Sequence, residues 1–348
     1  MTDLKFLFQT CEIGNKVDQI FDPRCLCFGP DHLMYIFDFQ KSCIQVFDYK
    51  GKFQHRFGSA NSDDSYFHLV TGMCFGPNDL LYVSDHENCV ICVFDVDGNL
   101  KFQFGSRGQE DAQFRSINEI CFGPNGLLYT NEMGNNRIQV FDQDGRFLFK
   151  FGSKGGNWGQ FNLPRGMCFG PNGILYICDY NNHRIQAFNM KGEFQFQFRS
   201  SWTNSSKPFL PEMICLGPNQ DLFICDGNDQ RIQVFDLKGN FKYFFFSYEI
   251  KKASENNNEK RYYLNLKRGG LFLYFYENLM YIFDEYNYNE INVFQFKKDQ
   301  SLYQILHKNI SSKKNQNIFH RIIDAILKQN FWHVSLVLNV IIIFYILF

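Results

Sequence analysis

The chain has little net charge and little proline. Its 35 Lys and Arg residues nearly balance 36 Asp and Glu residues, which leaves a formal charge of −1. This balance excludes a strongly basic nucleic-acid binder and an acidic disordered chain. Only 9 prolines stand against 42 phenylalanines in 348 residues. Because aromatic side chains favour strands, the composition argues against a helical bundle.

Motifs that mark common enzyme classes are also missing. The sequence contains no H-E-x-x-H, no G-x-S-x-G, no G-x-x-x-x-G-K-[ST] and no G-x-G-x-x-G after a predicted strand. Such motifs hold zinc, a nucleophilic serine or a phosphate group. We therefore predict that the protein is not an enzyme and holds no cofactor. Residues 1–14 contain no apolar run of signal-peptide length, so we expect the bulk of the chain to be cytoplasmic, with reduced thiols.

One unit of sequence repeats with a period of 47 residues. The dipeptide Gly-Pro recurs without insertion at Gly29, Gly76, Gly123, Gly170 and Gly217. After Gly-Pro, each unit has an apolar run that ends in an acidic residue. A second apolar run, a turn glycine and a phenylalanine-rich run follow in that order. Together with the run before Gly-Pro, these predict four short strands. Four antiparallel strands in about 40 to 50 residues make one β-propeller blade.

A sixth unit is degraded and lacks both the Gly-Pro dipeptide and the arginine of the other units. It follows an inserted loop, and its strands are predicted at 271–276, 279–284, 291–296 and 302–306. The N-terminal residues 5–9 align with the last strand of a unit and compete with 302–306 for that position. We favour pairing of the N-terminal strand into the last blade, because an unpaired outer edge invites aggregation. A frayed N-terminus is the alternative.

Residues 151–198 resemble an NHL repeat. They contain a G-x-x-x-G-Q-F loop at 155–161 and a Leu-Pro-Arg-Gly segment that leads into the first strand. Asp179 follows the second strand, and Arg184 begins the third. Units three and five keep this acid and arginine, whereas units one and two carry Cys43 and Val90 at the arginine position.

The resemblance covers roughly residues 4–306 and implies an all-β fold, a six-bladed β-propeller of four-stranded antiparallel blades. We assign the propeller to residues 1–306, with blade units near 21–58, 68–105, 115–152, 162–198, 209–246 and 264–306 and an inserted loop at 247–263. NHL propellers often recruit substrates for ubiquitin ligases, some bind RNA, and related propellers are lyases or hydrolases with a central metal. No RING-type Cys/His cluster precedes the repeats, so ligase chemistry is not expected within this chain.

An acidic residue follows the second strand of each unit, and in three units an arginine stands five residues later. Six acids around a ring could suggest a metal site, but a carboxylate at a turn accepts backbone N–H groups and pairs with arginine. We therefore predict structural turn roles and no metal for Asp85, Glu132, Arg137, Asp179, Arg184, Asp226 and Arg231.

Thiols recur at one position of the first strand, at Cys27, Cys74, Cys121, Cys168 and Cys215. A ring of thiolates could bind a soft metal. Equivalent positions in separate blades lie too far apart, however, for several Zn–S bonds of about 2.3 Å to one ion. We therefore predict that these thiols pack in the core as small apolar groups.

The C-terminus differs in character from the repeats. Residues 331–348 contain no Asp, Glu, Lys or Arg, and as a helix with a rise of about 1.5 Å per residue they would cover about 27 Å, close to the thickness of a bilayer core. Residues 297–330 carry seven Lys or Arg and two Asp, a balance of +5. Since basic residues flank the cytoplasmic side of a span, we predict a basic juxtamembrane linker at 307–330 and a transmembrane tail anchor with the propeller in the cytoplasm. Anchor residues are Phe331, Trp332, Val340, Ile341, Ile342 and Phe348. A buried C-terminal strand or helix is the alternative.

Binding residues are expected on the loops that join the last strand of one blade to the first strand of the next, because loops on a rigid scaffold carry function. Aromatic and arginine side chains dominate contact energies, and the candidates are Phe114, Trp158, Phe161, Arg165 and Trp202. Phe114 and Phe161 are equivalent in the repeat, and the alternative role for both is to pin their loops.

The sequence thus favours a non-catalytic protein–protein interaction scaffold or adaptor, tethered to a membrane. RNA binding is an alternative, although residues 1–250 hold 22 Lys or Arg against 28 Asp or Glu, a balance of −6. Two further alternatives are substrate recognition for a ubiquitin ligase and a propeller enzyme with a central metal. The scaffold follows from the long loops between blades, and the three alternatives follow from the resemblance, which is specific for the fold and weak for function.

Overall fold

The computed structural model describes residues 4–10, 14–58, 67–200, 208–217, 219–228, 231–246, 271–276, 279–284 and 291–296. The predicted inserted loop 247–263, the predicted linker 307–330 and the predicted membrane anchor 331–348 lie outside these ranges. Within them, no helix combines the length and hydrophobicity that a membrane crossing requires. The only helix in the described part is a short 3-10 turn at Tyr180–Asn182.

Five four-stranded antiparallel sheets follow one another along the described chain, and we number them blades 1 to 5. Their inner strands are Pro23–Phe28, Val70–Phe75, Ile117–Phe122, Pro164–Phe169 and Pro211–Leu216. The second strands are Met34–Asp38, Leu81–Asp85, Leu128–Glu132, Leu175–Asp179 and Leu222–Asp226. The third strands are Cys43–Phe47, Val90–Phe94, Arg137–Phe141, Arg184–Phe188 and Arg231–Phe235. The outer strands are Phe53–Phe57, Leu100–Phe104, Phe147–Phe151, Phe194–Phe198 and Phe241–Phe246. An all-β propeller of four-stranded antiparallel blades is therefore confirmed.

A further four-stranded sheet joins the two ends of the repeat array. It contains Leu271–Tyr276, Leu279–Asp284 and Ile291–Phe296, and the N-terminal strand Leu4–Thr10 pairs antiparallel with the last of these. The expected pairing of the N-terminal strand with the sixth unit is thus confirmed, and residues 302–306 lie outside the described chain. Leu271–Tyr276 also lies beside the inner strands of blades 1 and 5.

The core lies between neighbouring blades, because each sheet buries both faces against the next. The second and third strands of the five blades are buried along almost their whole length, whereas outer strands alternate half-buried and exposed positions. An outer-strand phenylalanine of one blade meets a third-strand phenylalanine of the next, as at Phe104 and Phe141, with ring centroids 5.3 Å apart. A fully buried phenylalanine such as Phe141 contributes roughly 1.5 to 3 kcal/mol. The prediction that alternating phenylalanines fill the space between blades is correct.

A buried tyrosine of the second strand joins each of the first four blades to the following one. Tyr129 Oη donates to the carbonyl oxygen of Met190 at 2.7 Å, and Tyr176 Oη donates to that of Leu237 at 2.7 Å. Tyr82 makes the same bond to Gln143 at 2.6 Å. The acceptor lies in every case in the turn before the outer strand of the next blade. Tyrosine in this position therefore combines apolar burial with one directed bond between blades.

The turn glycine before each outer strand lets blades approach closely. Gly145 has a φ of 78°, in the left-handed region that favours glycine, and a Cβ added there would lie 2.6 Å from the ring of Phe104. A side chain at this turn would thus be strained and would push against the preceding blade. The repeat of this glycine follows from the packing between blades as well as from the turn.

Candidate functional site

In blade 4 the recurring acid and arginine hold the loop that enters the blade. In blade 4 the buried Asp179 carboxylate accepts from Arg184 Nε at 2.7 Å, and it accepts from Gln186 Nε2 at 3.0 Å. Arg184 Nη2 donates to the carbonyl oxygens of Asn157 and Gln160 at 2.8 and 2.9 Å. These bonds satisfy a buried charge and tie down the loop 152–163.

The same arrangement recurs in blades 3 and 5. Glu132 accepts from Arg137 Nε at 2.7 Å, and Asp226 accepts from Arg231 Nη2 at 3.1 Å. In blade 2, Asp85 accepts backbone N–H groups at the turn instead, with Asn88 N at 3.1 Å. The seven repeat residues therefore occupy turn and loop-holding positions. Within the described residues, no group of three or more His, Cys, Asp or Glu side chains is arranged to hold a metal ion.

The recurring thiols of the inner strands are half-buried, and four of them pack against the hydrophobic clusters between blades: Cys27, Cys74, Cys121 and Cys168. Burial raises the pKa of these thiols and of Cys215 above the ordinary value. They therefore stay protonated at neutral pH and are weak nucleophiles. The core-packing prediction agrees with this geometry, although the thiols are less deeply buried than predicted.

Phe114 and Phe161 are wrong as candidate partner contacts, because both side chains are fully buried. Phe161 packs against Phe188 with centroids 5.5 Å apart, and Phe114 packs against Phe141 at 5.6 Å. Both pin their loops, which is the alternative role that their equivalence in the repeat allows. Phe67 does the same in blade 2 and was not identified from the sequence.

Trp158 is the most exposed large apolar side chain of the described residues, with 73% of its surface accessible. Its ring stacks on Phe194 at 5.7 Å with an interplanar angle of 6°. The side chain is therefore oriented but open to solvent on one face. Trp202 lies outside the described residues. Of the four aromatic candidates, Trp158 is the one that the structure places where a partner can reach it.

Arg165 begins a polar cluster at the loop end of the inner strands, and we call this end the mouth. Its guanidinium lies over the ring of Tyr180, with Cζ 3.8 Å from the centroid. Arg165 Nη1 donates to Glu212 Oε1 of the next blade at 2.8 Å. The buried amide of Asn131 donates to the Arg165 carbonyl oxygen. Burial raises the pKa of Glu212, and the nearby Arg165 opposes this rise. We call Asn131, Arg165, Tyr180 and Glu212 the mouth cluster.

Two glycines make room for the mouth cluster. A Cβ at Gly227 would lie 2.6 Å from Glu212 Cδ, and a Cβ at Gly166 would lie 2.8 Å from Met213 Cα in the inner strand of blade 5. Other units carry Phe39, His86, Met133 or Tyr180 at the position of Gly227. Glycine in place of a large side chain at position 227 thus leaves space for the Glu212 carboxylate. Such a departure from the repeat is the sequence signal that could have identified Glu212.

Blade 1 carries a second arginine on an aromatic ring at the same repeat position. Arg24 lies 5.0 Å above Phe39, and its Nε and Nη2 donate to the two carboxylate oxygens of Asp22 at 3.0 and 3.2 Å. Positions 24 and 165 differ by 141 residues, three periods of 47. Both arginines therefore begin inner strands, three blades apart.

Glu119 is a carboxyl group in the inner strand of blade 3 that sequence reasoning did not single out. Burial raises its pKa to about 8, and in its ionised form it raises the pKa of thiols in three other blades, including Cys27 and Cys168. Gly72 of blade 2 packs directly against this strand, since a Cβ there would lie 3.2 Å from Glu119 Cα. No ion pair of the described residues involves Glu119, so the group is largely protonated at neutral pH.

Comparison with solved structures identifies the same fold in several enzymes. A selenomethionine-substituted virginiamycin B lyase from Staphylococcus aureus matches with a TM-score of 0.58 and 16% identity, covering 85% of this chain and 99% of the lyase. A catalytically inactive form of that lyase with quinupristin matches with a TM-score of 0.55 and 18% identity, covering 82% of this chain and 83% of the lyase. A gluconolactonase from Xanthomonas campestris matches with a TM-score of 0.55 and 14% identity, covering 80% and 87%. At these identities the similarity shows the fold and leaves the activity open.

Sequence comparison gives a narrower result. No curated protein sequence matches the chain significantly. The family model for the NHL repeat matches residues 161–188, which run from the pinned Phe161 to the end of the third strand of blade 4. This match coincides with the unit in which the sequence resemblance is most complete. The chain is therefore a β-propeller of four-stranded antiparallel blades that contains an NHL repeat.

Proposed function

We propose that the protein is a non-catalytic interaction scaffold that binds a protein partner on its loops and mouth. The observation that carries this proposal is that the recurring arginines hold the loops between blades. Arg137 and Arg184 donate hydrogen bonds to backbone carbonyl oxygens of the loops 105–116 and 152–163. The loops are thereby held in place before binding, which lowers the entropy cost of contact. Trp158 and Arg165 remain partly accessible on this fixed surface.

We further propose that the ring closes as six blades, with the N-terminal strand as the outer strand of the last. Closure of this kind protects sheet edges and makes the loop surface rigid. In the proposed arrangement residues 331–348 anchor the chain in a membrane, and the propeller faces the cytoplasm. The basic balance of residues 297–330 supports this orientation.

Partner capture by the tagged full-length chain tests the scaffold. Proximity labelling should recover a set of proteins that is reduced for Trp158→Ala. Tyr49→Ala is the matched control, because Tyr49 is an exposed aromatic residue in the turn before the outer strand of blade 1. Equal recovery by both variants and the wild type argues against the loop surface. Salt-sensitive RNA crosslinks in place of protein partners would instead support RNA binding.

Fractionation tests the tether separately. The full-length chain should sediment with membranes, and a chain that ends at residue 330 should not. If both forms stay in the supernatant, the anchor is wrong, whereas the scaffold proposal is unaffected. Recovery of ubiquitin-ligase subunits in the labelling experiment would assign the partner class without changing the binding surface.

One observation favours a propeller enzyme as the second candidate. Glu119 has a pKa of about 8, which suits a general acid or base near neutral pH, and the solved structures with this fold include lyases and a gluconolactonase. Activity that is lost on chelation or in Glu119→Gln would establish this candidate over the scaffold. Retained partner binding in Glu119→Gln supports the scaffold.

A further inference from the structure

The mouth cluster contains an unused acceptor beside unused donors. Glu212 Oε2 is buried and accepts no hydrogen bond from the described residues, although Glu212 Oε1 is paired with Arg165. Asn131 Oδ1, on the other side of Arg165, is also buried without a partner there. A buried acceptor without a donor costs about 1 to 3 kcal/mol, so a native structure seldom keeps one without cause.

Most N–H groups of the Arg165 guanidinium make no hydrogen bond to the described residues. Within the described chain its side chain makes one hydrogen bond, through Nη1, whereas a guanidinium carries five N–H groups. The ring of Tyr180 fixes the guanidinium plane from one side. About a third of the Arg165 side chain, 31%, is accessible. A fixed, partly exposed guanidinium is preorganised for a carboxylate.

A ligand that fits must bring an acceptor and a donor side by side. A polypeptide does so, because its backbone N–H groups alternate with carbonyl groups and its acidic side chains supply carboxylates. Phosphate groups carry no hydrogen-bond donor for Glu212 Oε2, so a phosphodiester chain fits the mouth cluster less well than a polypeptide does. The charge balance of −6 over residues 1–250 also opposes a phosphodiester chain.

We propose that Arg165, Tyr180 and Glu212 bind an acidic residue of an extended segment of the partner protein. The acidic side chain of the segment accepts from the Arg165 guanidinium, and a backbone N–H of the segment donates to Glu212 Oε2. This inference rests on the proposed function, since it names the chemistry that the partner presents at the mouth.

Arg24 supplies a weaker second contact. Because it begins an inner strand three blades from Arg165, a segment that crosses the mouth of a six-bladed ring passes both arginines. Arg24 already donates to both oxygens of Asp22, so a ligand carboxylate must compete with that pair. We therefore expect a smaller loss of binding for Arg24→Gln than for Arg165→Gln.

Selection from a phage-displayed library of random dodecapeptides, with the full-length chain as bait, tests the site. Asp and Glu should be enriched at one position of the selected peptides. A synthetic acetylated peptide of the selected sequence should bind at least about tenfold more tightly than its Gln or Asn counterpart, as expected for one charge-assisted pair. Arg165→Gln should cause a loss of similar size.

Arg146→Gln is the matched control, because Arg146 is a highly exposed arginine in a turn before an outer strand, away from the mouth. It should bind the peptide like the wild type. Arg165→Lys keeps the charge and loses the planar donors, so it serves if Arg165→Gln does not fold, and it should also bind more weakly. Thermal unfolding of each variant separates loss of binding from loss of structure.

The inference is overturned if selected peptides show no excess of Asp and Glu, or if a folded Arg165 variant binds the acidic peptide as the wild type does. In that case, continued capture of partners that depend on Trp158 leaves the proposed function intact. Failure to capture any peptide or any protein overturns both.

Discussion

Blades 4 and 2 use different residues to bind the acidic side chain that ends the second strand. In blade 4 the buried Asp179 is paired with Arg184, which also binds the incoming loop. In blade 2 Val90 replaces the arginine, and Asp85 accepts from the backbone of His68 at 2.9 Å and from Asn88 Nδ2 at 2.9 Å. The comparison separates two roles. In both blades the carboxylate joins the turn after the second strand to the segment that enters the blade, and in blade 4 the arginine adds bonds to the loop before that segment.

Blade 1 supports this separation with a third solution. Asp38 again accepts backbone N–H groups, including that of Phe21 at 2.8 Å. Cys43 stands at the arginine position, and Lys41 donates instead to the carbonyl oxygens of Lys16 and Gln19. The acid of the second strand is thus constant in function, whereas the cation that holds the preceding segment changes in type and position.

The largest effect is expected for Arg184→Met, which leaves the buried Asp179 without its counter-charge. We expect a loss of about 3 to 5 kcal/mol in the free energy of unfolding, measured by urea denaturation. Arg146→Met removes an exposed arginine and should change stability by less than about 0.5 kcal/mol. A loss below about 1 kcal/mol for Arg184→Met would mean that the pair contributes little to the fold.

The two roles predict unequal costs for the same change in two blades. Asp179→Asn leaves Arg184 without a counter-charge and should cost about 3 kcal/mol or more. Asp85→Asn weakens only hydrogen bonds to neutral donors and should cost about 1 to 2 kcal/mol. Urea midpoints of the two variants measure the difference. Equal midpoints would break the comparison between blades 4 and 2.

Glu119 extends the comparison to a buried acid without an arginine. Since its pKa of about 8 lies above that of an unfolded glutamate, the folded state binds the proton more tightly. The contribution of Glu119 to stability is therefore fully present below about pH 4 and is lost as the pH rises toward 8, by on the order of 1 to 3 kcal/mol. Glu119→Gln should remove most of this slope in thermal unfolding, whereas Glu87→Gln, at an exposed position, should preserve it. A flat wild-type profile would contradict the burial of the Glu119 charge.

The smallest effect concerns the bonds between blades. Tyr129→Phe removes the hydrogen bond to the Met190 carbonyl oxygen, which should cost about 1 kcal/mol. Blade 5 already carries Phe223 at this position, so the fold tolerates the loss once. Tyr49→Phe, at an exposed tyrosine, should leave the midpoint of thermal unfolding unchanged. A larger loss for Tyr49→Phe than for Tyr129→Phe would disprove the role of the buried hydroxyl group.

The repeat pattern was sufficient for most of the fold because each blade is a local structure. Strands such as Leu175–Asp179 and Arg184–Phe188 were recognisable from short apolar runs and a tight turn. Phe114 and Phe161 show where this reasoning reaches its limit. Their residue type suggested contact with a partner. In the structure both rings point inward and pack against the positive-φ glycines Gly105 and Gly152, where a side chain would collide with them.

The mouth cluster could not be predicted from local sequence. The sequence predicts Arg165 as a candidate partner contact, but Glu212 stands 47 residues away and Gly227 makes room for it from another strand. Their proximity depends on the angle and spacing of two neighbouring blades. Glu119 was missed for the same reason, since burial raises its pKa and the inner strand of the neighbouring blade packs against it at Gly72.

The sequence by itself determined the period, the four strands of each unit and the identity of the turn acids, because these depend on contacts within a few residues. Only the tertiary structure decided which aromatic side chains are buried, which carboxyl groups are paired and which polar atoms at the mouth still need a partner. The physical reason is that burial and electrostatic pairing are set between blades, where residues dozens of positions apart come into contact.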